Sequence, residues 1–215
     1  MKGLTLEHVT VDAIGLLHEP VRRAVYEYVA AQPGPVGRDA VAEAVGVGRT
    51  LAAFHLDKLA GGGLLTVSFA RRPGRTGRPA KLYRRAPGEV AVSVPPRQYR
   101  LLAGALAEAL EETGADATAY AAAHRRGRTQ PVVGDLVDHL DGLGYEPVTD
   151  DSCVRLRNCP FGTVAEEFPP LVCGMNLALI RGMLDGGGMA ESRAELDPQP
   201  NGCCVRIALV AAARS

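Results

Sequence analysis

Two short helical patterns, separated by glycine, lie in the N-terminal half of the chain. Residues 38–45 make the first pattern and residues 49–60 the second, and the segment Gly46-Val47-Gly48 breaks the periodicity between them. The apolar face of the second pattern repeats at helical spacing and comprises Ala52, Leu56 and Leu59. Three glycines from Gly61 onwards predict its end. The pattern therefore predicts two helices joined by a tight turn.

Two strand patterns follow this helix pair. Residues 64–70 are branched and aromatic, residues 71–79 are rich in turn formers, and residues 81–84 can return as a second strand. A helix, a tight turn, a second helix and a two-stranded wing, in this order, are the layout of a winged helix-turn-helix. An earlier helix is predicted over residues 12–31, where Pro20 can occupy the first helical position.

Basic residues concentrate in the predicted wing. Residues 71–85 include seven Lys or Arg and no Asp or Glu, so this loop can neutralise DNA phosphates, although a solvated charged hairpin is the alternative. Arg78, which lies between Gly77 and Pro79, suits a narrow minor groove. The N-terminal part of the second helix should enter the major groove. The predicted DNA-binding residues are Arg49, Thr50 and Phe54 at base edges, His55 and Lys58 at phosphates or in support of the helix, and Arg71, Arg72, Arg75, Arg78 and Lys81 in the wing.

Three segments resemble those of known bacterial regulators. GVGRTLAAFHLDKLAGGGLL (residues 46–65) resembles the helix-turn-helix of the ArsR- and DeoR-like families. GRPAKLYRR (residues 77–85) is similar to their wing, and LHEPVRRAVYEYV (residues 17–29) resembles the opening helix of ArsR-like regulators. The resemblance implies a transcription regulator that binds double-stranded DNA.

Charge is divided unevenly along the chain. The formal net charge is zero, but residues 1–100 carry fifteen Lys and Arg against eight Asp and Glu, which gives +7. Residues 101–215 carry nine against sixteen, which gives −7, so we expect only the first half to meet nucleic acid. No signal-peptide pattern and no run of about 18 apolar residues is present. We therefore expect a cytoplasmic protein without membrane contact.

A long helical pattern over residues 97–126, with breaks near Gly104 and Gly114, begins the acidic half. Its apolar face either packs within its own domain or forms a dimer. We favour a homodimer on a palindromic operator, because a single winged domain rarely makes enough contacts for specific binding. The apolar face consists of Leu101, Leu102, Ala105, Leu106, Ala109 and Leu110.

The remaining sequence predicts a small α+β domain. Helices are expected over residues 131–143 and from residue 169 to about 184. Strands are expected over residues 145–148, 154–157, 190–196 and 203–210. The predicted domains are therefore a winged helix-turn-helix at 1–88, a linker and dimerisation helix at 89–128, and a cysteine-containing sensor domain at 129–215.

All five cysteines lie in the acidic half, at positions 153, 159, 173, 203 and 204. In a reducing compartment they are thiols or metal ligands rather than disulfides. Three interpretations compete: inert burial, zinc, although no C-x-x-C pair is present, and an iron–sulfur cluster. If the last strand begins at Cys203, then Cys203 and Cys204 point to opposite faces and one of them at most reaches a given site.

A second resemblance concerns these cysteines. VRLRNCPF (154–161), LVCGMNLALIRGML (171–184) and NGCCVRIAL (201–209) are similar to the sensor domain of SufR-like regulators, repressors that carry a 4Fe–4S cluster. The resemblance implies Cys159, Cys173 and either Cys203 or Cys204 as ligands. Candidates for the fourth ligand are Cys153, the other member of that pair, Glu166 or Glu167, or an external thiol.

The two resemblances together predict a repressor that senses iron–sulfur, redox or nitric oxide status. The alternative is a zinc-binding or thiol-redox regulator of the same fold without a cluster. An enzyme is not expected, because the sequence has no nucleophile elbow, no P-loop and no paired-carboxylate pattern. The histidines are scattered over positions 8, 18, 55, 124 and 139.

Overall fold

The fold combines helices with antiparallel sheets, in keeping with the predicted α+β class. The chain divides into two compact units, Met1–Arg97 and Gln98–Ser215. No described helix is long and apolar enough to span a membrane. This computed structural model describes residues 6–70, 79–93, 95–150, 152–199 and 202–209.

The first unit is a helical group with a small sheet. Its described helices are α1 (Leu6–Leu16), α2 (Pro20–Ala31), α3 (Arg38–Val45) and α4 (Arg49–Gly61). Its strands are β1 (Val36–Gly37), β2 (Leu65–Ala70) and β3 (Ala80–Arg85), which pair antiparallel in the order β1-β3-β2. The predicted helix pair and both wing strands are therefore present in the predicted order.

Local chemistry explains where these helices begin and end. Pro20 is the first residue of α2, and the Glu19 carboxylate caps the helix by accepting hydrogen bonds from the backbone N–H groups of Val21 and Arg22. The segment predicted as one helix over residues 12–31 is thus two helices. Gly46 ends α3 in the left-handed conformation, with φ of 71°, and so permits the tight turn into α4.

One apolar core holds the first unit together. The predicted stripe of α4 lies at its centre, since Ala52, Leu56 and Leu59 are fully buried. Val25 and Val29 of α2 face this stripe within the same core, and Tyr83 brings β3 against it. Because one face of α4 is committed to the core, its other face is left for solvent or a ligand.

The second unit packs helices against one face of a four-stranded sheet. The helices are α5 (Tyr99–Thr113), α6 (Asp116–Arg128), α7 (Leu136–Gly142), α8 (Gly162–Glu167) and α9 (Pro169–Gly186), followed by a short 3-10 helix, Glu191–Arg193. The strands are β4 (Pro147–Thr149), β5 (Cys153–Leu156), β6 (Ala194–Leu196) and β7 (Val205–Ala208). All neighbours are antiparallel, and the order is β4-β5-β7-β6.

Several predictions for this unit need correction. The predicted break near Gly114 is present, since α5 ends there in the left-handed conformation, but the break expected near Gly104 is wrong because α5 continues through it. Both α5 and α6 belong to the second unit. Helix α7 begins only at Leu136, where Asp135 caps it, and α8 was not predicted.

Glycines allow α6 and α9 to approach each other at backbone distance. A Cβ atom at Gly182 would lie 2.1 Å from the His124 carbonyl oxygen, and one at Gly127 would lie 2.1 Å from the Leu179 carbonyl oxygen. A Cβ at Gly174 would meet the Tyr120 ring at 2.4 Å. Both helices therefore need glycine at their crossing.

Acid is expected to weaken the turn between β4 and β5. The Asp150 carboxylate accepts hydrogen bonds from the N–H groups of Ser152 and Cys153, each at 2.8 Å, and from the Ser152 hydroxyl at 2.9 Å. These bonds hold the pKa of Asp150 well below its usual range. A carboxyl whose pKa is lower in the folded than in the unfolded chain stabilises the fold above its unfolded pKa of about 4, and that contribution is lost as the pH falls further.

Thermal unfolding of the wild type and of Asp150→Asn from neutral pH to about pH 3 measures this contribution. We expect the variant to be less stable at neutral pH and the difference to shrink in acid. A difference that stays constant over the whole range would contradict the assignment.

Candidate nucleic-acid interface and cysteine site

The solvent face of α4 carries most of the residues predicted to contact DNA. Arg49, Thr50, Phe54 and Lys58 are all exposed, and half of the Phe54 surface is accessible. The Lys58 ammonium lies 5.8 Å from the centre of the Phe54 ring, within the range of a cation–π contact. This face thus offers cationic, hydroxyl and aromatic groups at successive turns.

Arg49 is already engaged by a carboxylate. Its guanidinium forms a fork with Asp39 of α3, at 2.7 Å and 3.0 Å to the two carboxylate oxygens. Such a pair fixes the direction of the arginine side chain and partly neutralises it. A phosphate or a base edge would have to compete with Asp39 for this group.

Lys81 couples the wing to α4. Its ammonium and the Tyr83 hydroxyl both donate to the carboxylate of Asp57, an exposed residue of α4. The hydrogen bond from Lys81 lowers the pKa of Asp57, so this carboxylate is ionised at neutral pH. The contact holds β3 against α4 and makes Lys81 a link between the two elements.

His55 differs from the predicted contact with phosphate. It is 5% exposed, its Nδ1 accepts from Arg22 Nε at 3.4 Å, and Glu19 lies 3.6 Å away. His55 precedes the core residue Leu56 in α4, and its side chain is buried beside that residue. The structure supports the other predicted role, in which His55 holds α4 against α2.

The basic loop of the wing is only partly described. The strands β2 and β3 pair over six positions, from Leu65 with Arg85 to Ala70 with Ala80. Residues 71–78 lie outside the described residues, and with them four predicted DNA contacts: Arg71, Arg72, Arg75 and Arg78.

Three cysteines of the second unit meet in one place. Cys159 and Cys203 lie close enough to shift each other's pKa, and Cys204 also acts on the pKa of Cys203. All three residues belong to the core between the sheet and α9. The structure therefore brings together cysteines from a turn after β5 and from the segment before β7.

Backbone hydrogen bonds fix both of these segments. The N–H of Asn158 donates to the Tyr145 carbonyl at 3.0 Å, and the Gly162 N–H donates to the Cys159 carbonyl at 3.0 Å. The Cys203 N–H donates to the Leu156 carbonyl at 2.8 Å. Hydrogen bonds of the cysteine backbone or of an adjacent residue thus fix the main chain at Cys159 and at Cys203.

The predicted alternation of Cys203 and Cys204 is wrong. The last strand begins at Val205, so both cysteines precede it and the two-residue repeat of a strand does not apply to them. Both side chains are buried in the same core, at 3% and 8% exposure.

Cys153 is separated from the other cysteines. Cys153 lies in β5 and pairs with Ala208 of β7, while the next residue, Val154, pairs with Ile207. The side chains of Val154 and Ile207 face the core. Cys153 therefore points to the opposite face of the sheet, where its thiol donates to Asp150 at 3.3 Å. The structure does not support Cys153 as the fourth ligand.

Cys173 lies on α9, three residues before Asn176. Its side chain is half-buried and packs against the same core. Of the two predicted carboxylate ligands in α8, Glu166 and Glu167 are both exposed, and Glu167 is paired with Arg100 at 2.6 Å. The exposed carboxylates of α8 are thus not directed into the core that holds Cys159, Cys203 and Cys204, against which Cys173 also packs.

The pKa is raised for two of these thiols, Cys159 and Cys203. The hydrogen bond with Cys203 and burial raise the pKa of Cys159 far above its usual range. Four soft sulfur donors suit an iron–sulfur cluster, which commonly takes four cysteines. No three cysteine sulfurs of the described chain lie within 4.8 Å of one another, so a single zinc or cadmium ion would have to draw the thiols together.

The sequence analysis missed a buried amide beside these thiols. Asn176 of α9 donates to Cys203 Sγ at 3.1 Å and accepts from the Tyr145 hydroxyl at 2.7 Å. A signal was present, since Asn176 is a polar residue in an otherwise apolar helix stripe, one turn after Cys173.

A second set of metal-type donors, within the described residues, is made of His124, Asp185 and Glu191. Asp185 lies beside an arginine, and Glu191 lies beside His124, which is its opposite charge when protonated. His124 Nε2 lies 3.2 Å from Glu191, and Asp185 is paired with Arg128 at 2.8 Å. We interpret these contacts as ion pairs that join α6 to α9 and to the 3-10 helix.

Most of the predicted apolar face of α5 is exposed, although Leu110 packs against Ala107, Ala119 and Leu171. Leu101 is 71% exposed and Leu102 and Leu106 are nearly 60% exposed, whereas Ala107 on the opposite side is buried. An exposed leucine stripe of this kind is unusual on an isolated domain. It is consistent with the predicted role of this helix in contacts between subunits.

Neither a family model nor a curated protein matches the chain. Among solved structures, it is similar to the solution NMR structure of a homodimeric winged helix-turn-helix DNA-binding domain from Mycobacterium bovis, described as a possible ArsR-family transcriptional regulator. The two are 25% identical, the match covers 40% of this chain and 77% of that domain, and the TM-score is 0.30.

Proposed function

We propose that the chain is a transcriptional repressor that binds operator DNA as a homodimer and holds a 4Fe–4S cluster on its cysteines. The observation that carries the DNA-binding part is the division of α4 into two faces. Its apolar stripe is buried, and its opposite face presents Arg49, Thr50 and Phe54 to solvent. A helix held in this way after a tight turn can enter the major groove.

The dimer is supported by the leucine stripe on α5. Two copies that cover this stripe would remove Leu101, Leu102 and Leu106 from water, and each buried leucine contributes roughly 2 kcal/mol. A two-fold dimer also presents two α4 helices to two half-sites, which fits a palindromic operator.

The cluster is supported by the donor set of the second unit. Cys159, Cys173, Cys203 and Cys204 supply four thiols on one core, and a cluster bound there would add reversible iron chemistry sensitive to oxidants or nitric oxide. The chain's own contribution is to hold a turn, a helix and a strand entry at fixed positions around those sulfurs. Release of these segments would give the second state that a switch requires.

DNA binding is tested with an operator selected from random duplexes. We expect Arg49→Ala to weaken binding by about 1–3 kcal/mol if the arginine reads a base, or to reduce the salt dependence by about one phosphate contact. Asp39→Asn should act in the opposite direction, because it frees Arg49 from its carboxylate partner. Fluorescence anisotropy over a range of salt concentrations measures both effects.

Glu43→Gln is the matched control, because it removes the same charge from the exposed side of α3 without touching Arg49. Tighter binding by Asp39→Asn alone would support a direct role for Arg49. If Asp39→Asn and Glu43→Gln had equal effects, the loss of one negative charge would explain the result without a role for Arg49. Unchanged binding by Arg49→Ala would contradict the proposed interface.

A thiol-redox regulator without a cluster is the second candidate, and one observation favours it. Cys159 and Cys203 lie close enough to shift each other's pKa, and a two-electron oxidant could join neighbouring thiols as a disulfide. Iron and acid-labile sulfide, measured on anaerobically purified protein, distinguish the two. Their presence in matching amounts supports the cluster, and a colourless protein that remains so after reconstitution supports thiol redox or zinc.

A further inference from the structure

An amide is buried in the side of α9 that faces the thiols. Asn176 is 1% exposed, and its neighbours one turn away along the helix are Cys173 and Ile180. Burying an amide costs free energy unless its donors and its acceptor find partners. An amide at this position must therefore be held by hydrogen bonds that an apolar side chain could not make.

Tyr145 sets the direction in which the amide points. Its hydroxyl donates to Asn176 Oδ1 at 2.7 Å, and burial raises the pKa of Tyr145, so the hydroxyl keeps its proton. With Oδ1 used as the acceptor, the Nδ2 group faces Cys203 and lies 3.1 Å from its sulfur. The donor is thus aimed at one specific thiol.

The strength of this contact depends on the state of the sulfur. A neutral thiol is a weak acceptor, whereas a thiolate is a strong one, free or bound to metal. The hydrogen bond from Asn176 therefore contributes most when Cys203 has released its proton to solvent and its thiolate binds a metal. An apolar pair at positions 145 and 176 would fill the core equally well but could not respond in this way.

We propose that Asn176 is a positioning residue of the thiolate site: held by Tyr145, it donates to the Cys203 thiolate and strengthens metal binding there. The proposal rests on the proposed metal-binding role of the cysteines and names a residue that tunes it. Outer hydrogen bonds of this kind orient ligands and set the affinity and the potential of the bound metal.

Cadmium, a soft ion that binds thiolates, tests the proposal in cluster-free protein. We would titrate the full-length chain anaerobically and follow the ultraviolet charge-transfer band of the cadmium–thiolate bond. We expect Asn176→Leu to weaken Cd²⁺ binding by about 10- to 100-fold. Tyr145→Phe should weaken it less, because the amide stays but is no longer held in one orientation. The matched control is Ile180→Val, which loosens the same core one turn away and should bind Cd²⁺ as the wild type does.

Circular dichroism checks that the variants are folded, and Tyr145→Phe, which loses a single oxygen, carries the test if Asn176→Leu does not fold. Wild-type affinity in both variants would overturn the proposal. An equal loss in Ile180→Val would also overturn it, because packing alone would then explain the effect.

The cluster-loaded protein supplies a second measurement. A hydrogen bond to a ligand sulfur stabilises the more negative, reduced state, so Asn176→Leu should shift the reduction potential to a more negative value. If the wild type never forms a cluster but its Cd²⁺ affinity depends on Asn176, the iron–sulfur function is wrong and the role of Asn176 stands. If the cluster forms but neither the Cd²⁺ affinity nor the reduction potential depends on Asn176, the role proposed for Asn176 is wrong and the iron–sulfur function stands.

Discussion

Gly182→Ala is expected to destabilise the second unit by about 3 kcal/mol or more, a large part of the stability of an ordinary domain. The added methyl would lie 2.1 Å from the His124 carbonyl oxygen and 3.1 Å from the Arg128 backbone nitrogen. Both are backbone atoms of α6, which cannot move aside as a flexible side chain could. The two helices would have to separate along their whole crossing. Chemical denaturation monitored by far-ultraviolet circular dichroism measures the change.

Gly142→Ala is the matched control for this prediction. Gly142 is also helical and also belongs to the second unit, but nothing lies within 4 Å of a Cβ placed there. We expect this variant to remain within about 1 kcal/mol of the wild type, or to gain stability from the better helix former. Equal stability of Gly182→Ala and Gly142→Ala would contradict the close backbone crossing.

Cys203→Ser is expected to abolish cluster binding, which is the largest functional effect of any single substitution proposed for this chain. Cys203 lies beside Cys159 and Cys204 and accepts a hydrogen bond from Asn176, so it is central to the proposed cysteine site. Serine has nearly the same shape but is a poor ligand for iron in a cluster. Iron and sulfide per chain, after anaerobic reconstitution, should fall to background.

Cys153→Ser is the control, because Cys153 is equally buried and equally a cysteine but faces the other side of the sheet. We expect it to retain a wild-type amount of iron. If Cys153→Ser lost the cluster and Cys203→Ser kept it, the assignment of the donor set would be wrong.

Much of the first unit could be predicted because its signals are local. The turn between α3 and α4 needs a left-handed residue, and Gly46 provides it. Pro20 fixes the start of α2 in the same way. The burial of His55 was harder to foresee, since it depends on the approach of Arg22 from a helix more than thirty residues earlier.

The cysteine site shows where local patterns stop being informative. A strand pattern at residues 203–210 placed Cys203 and Cys204 on opposite faces, but the strand begins two residues later because the preceding segment is held by the Leu156 carbonyl. Pairing across the sheet, rather than the sequence around Cys153, decides that Cys153 points away. The partnership of Tyr145 with Asn176 likewise joins residues 31 positions apart.

The central claim is that the state of the cysteine site controls DNA binding. The most direct measurement is the affinity of one anaerobic preparation for its selected operator before and after removal of the cluster, with Cys203→Ser treated in parallel. We predict that the wild-type affinity changes at least about tenfold, as allosteric couplings commonly do, and that Cys203→Ser binds with the same affinity before and after treatment. A wild-type protein that carries the cluster and binds the operator equally well without it would contradict the account.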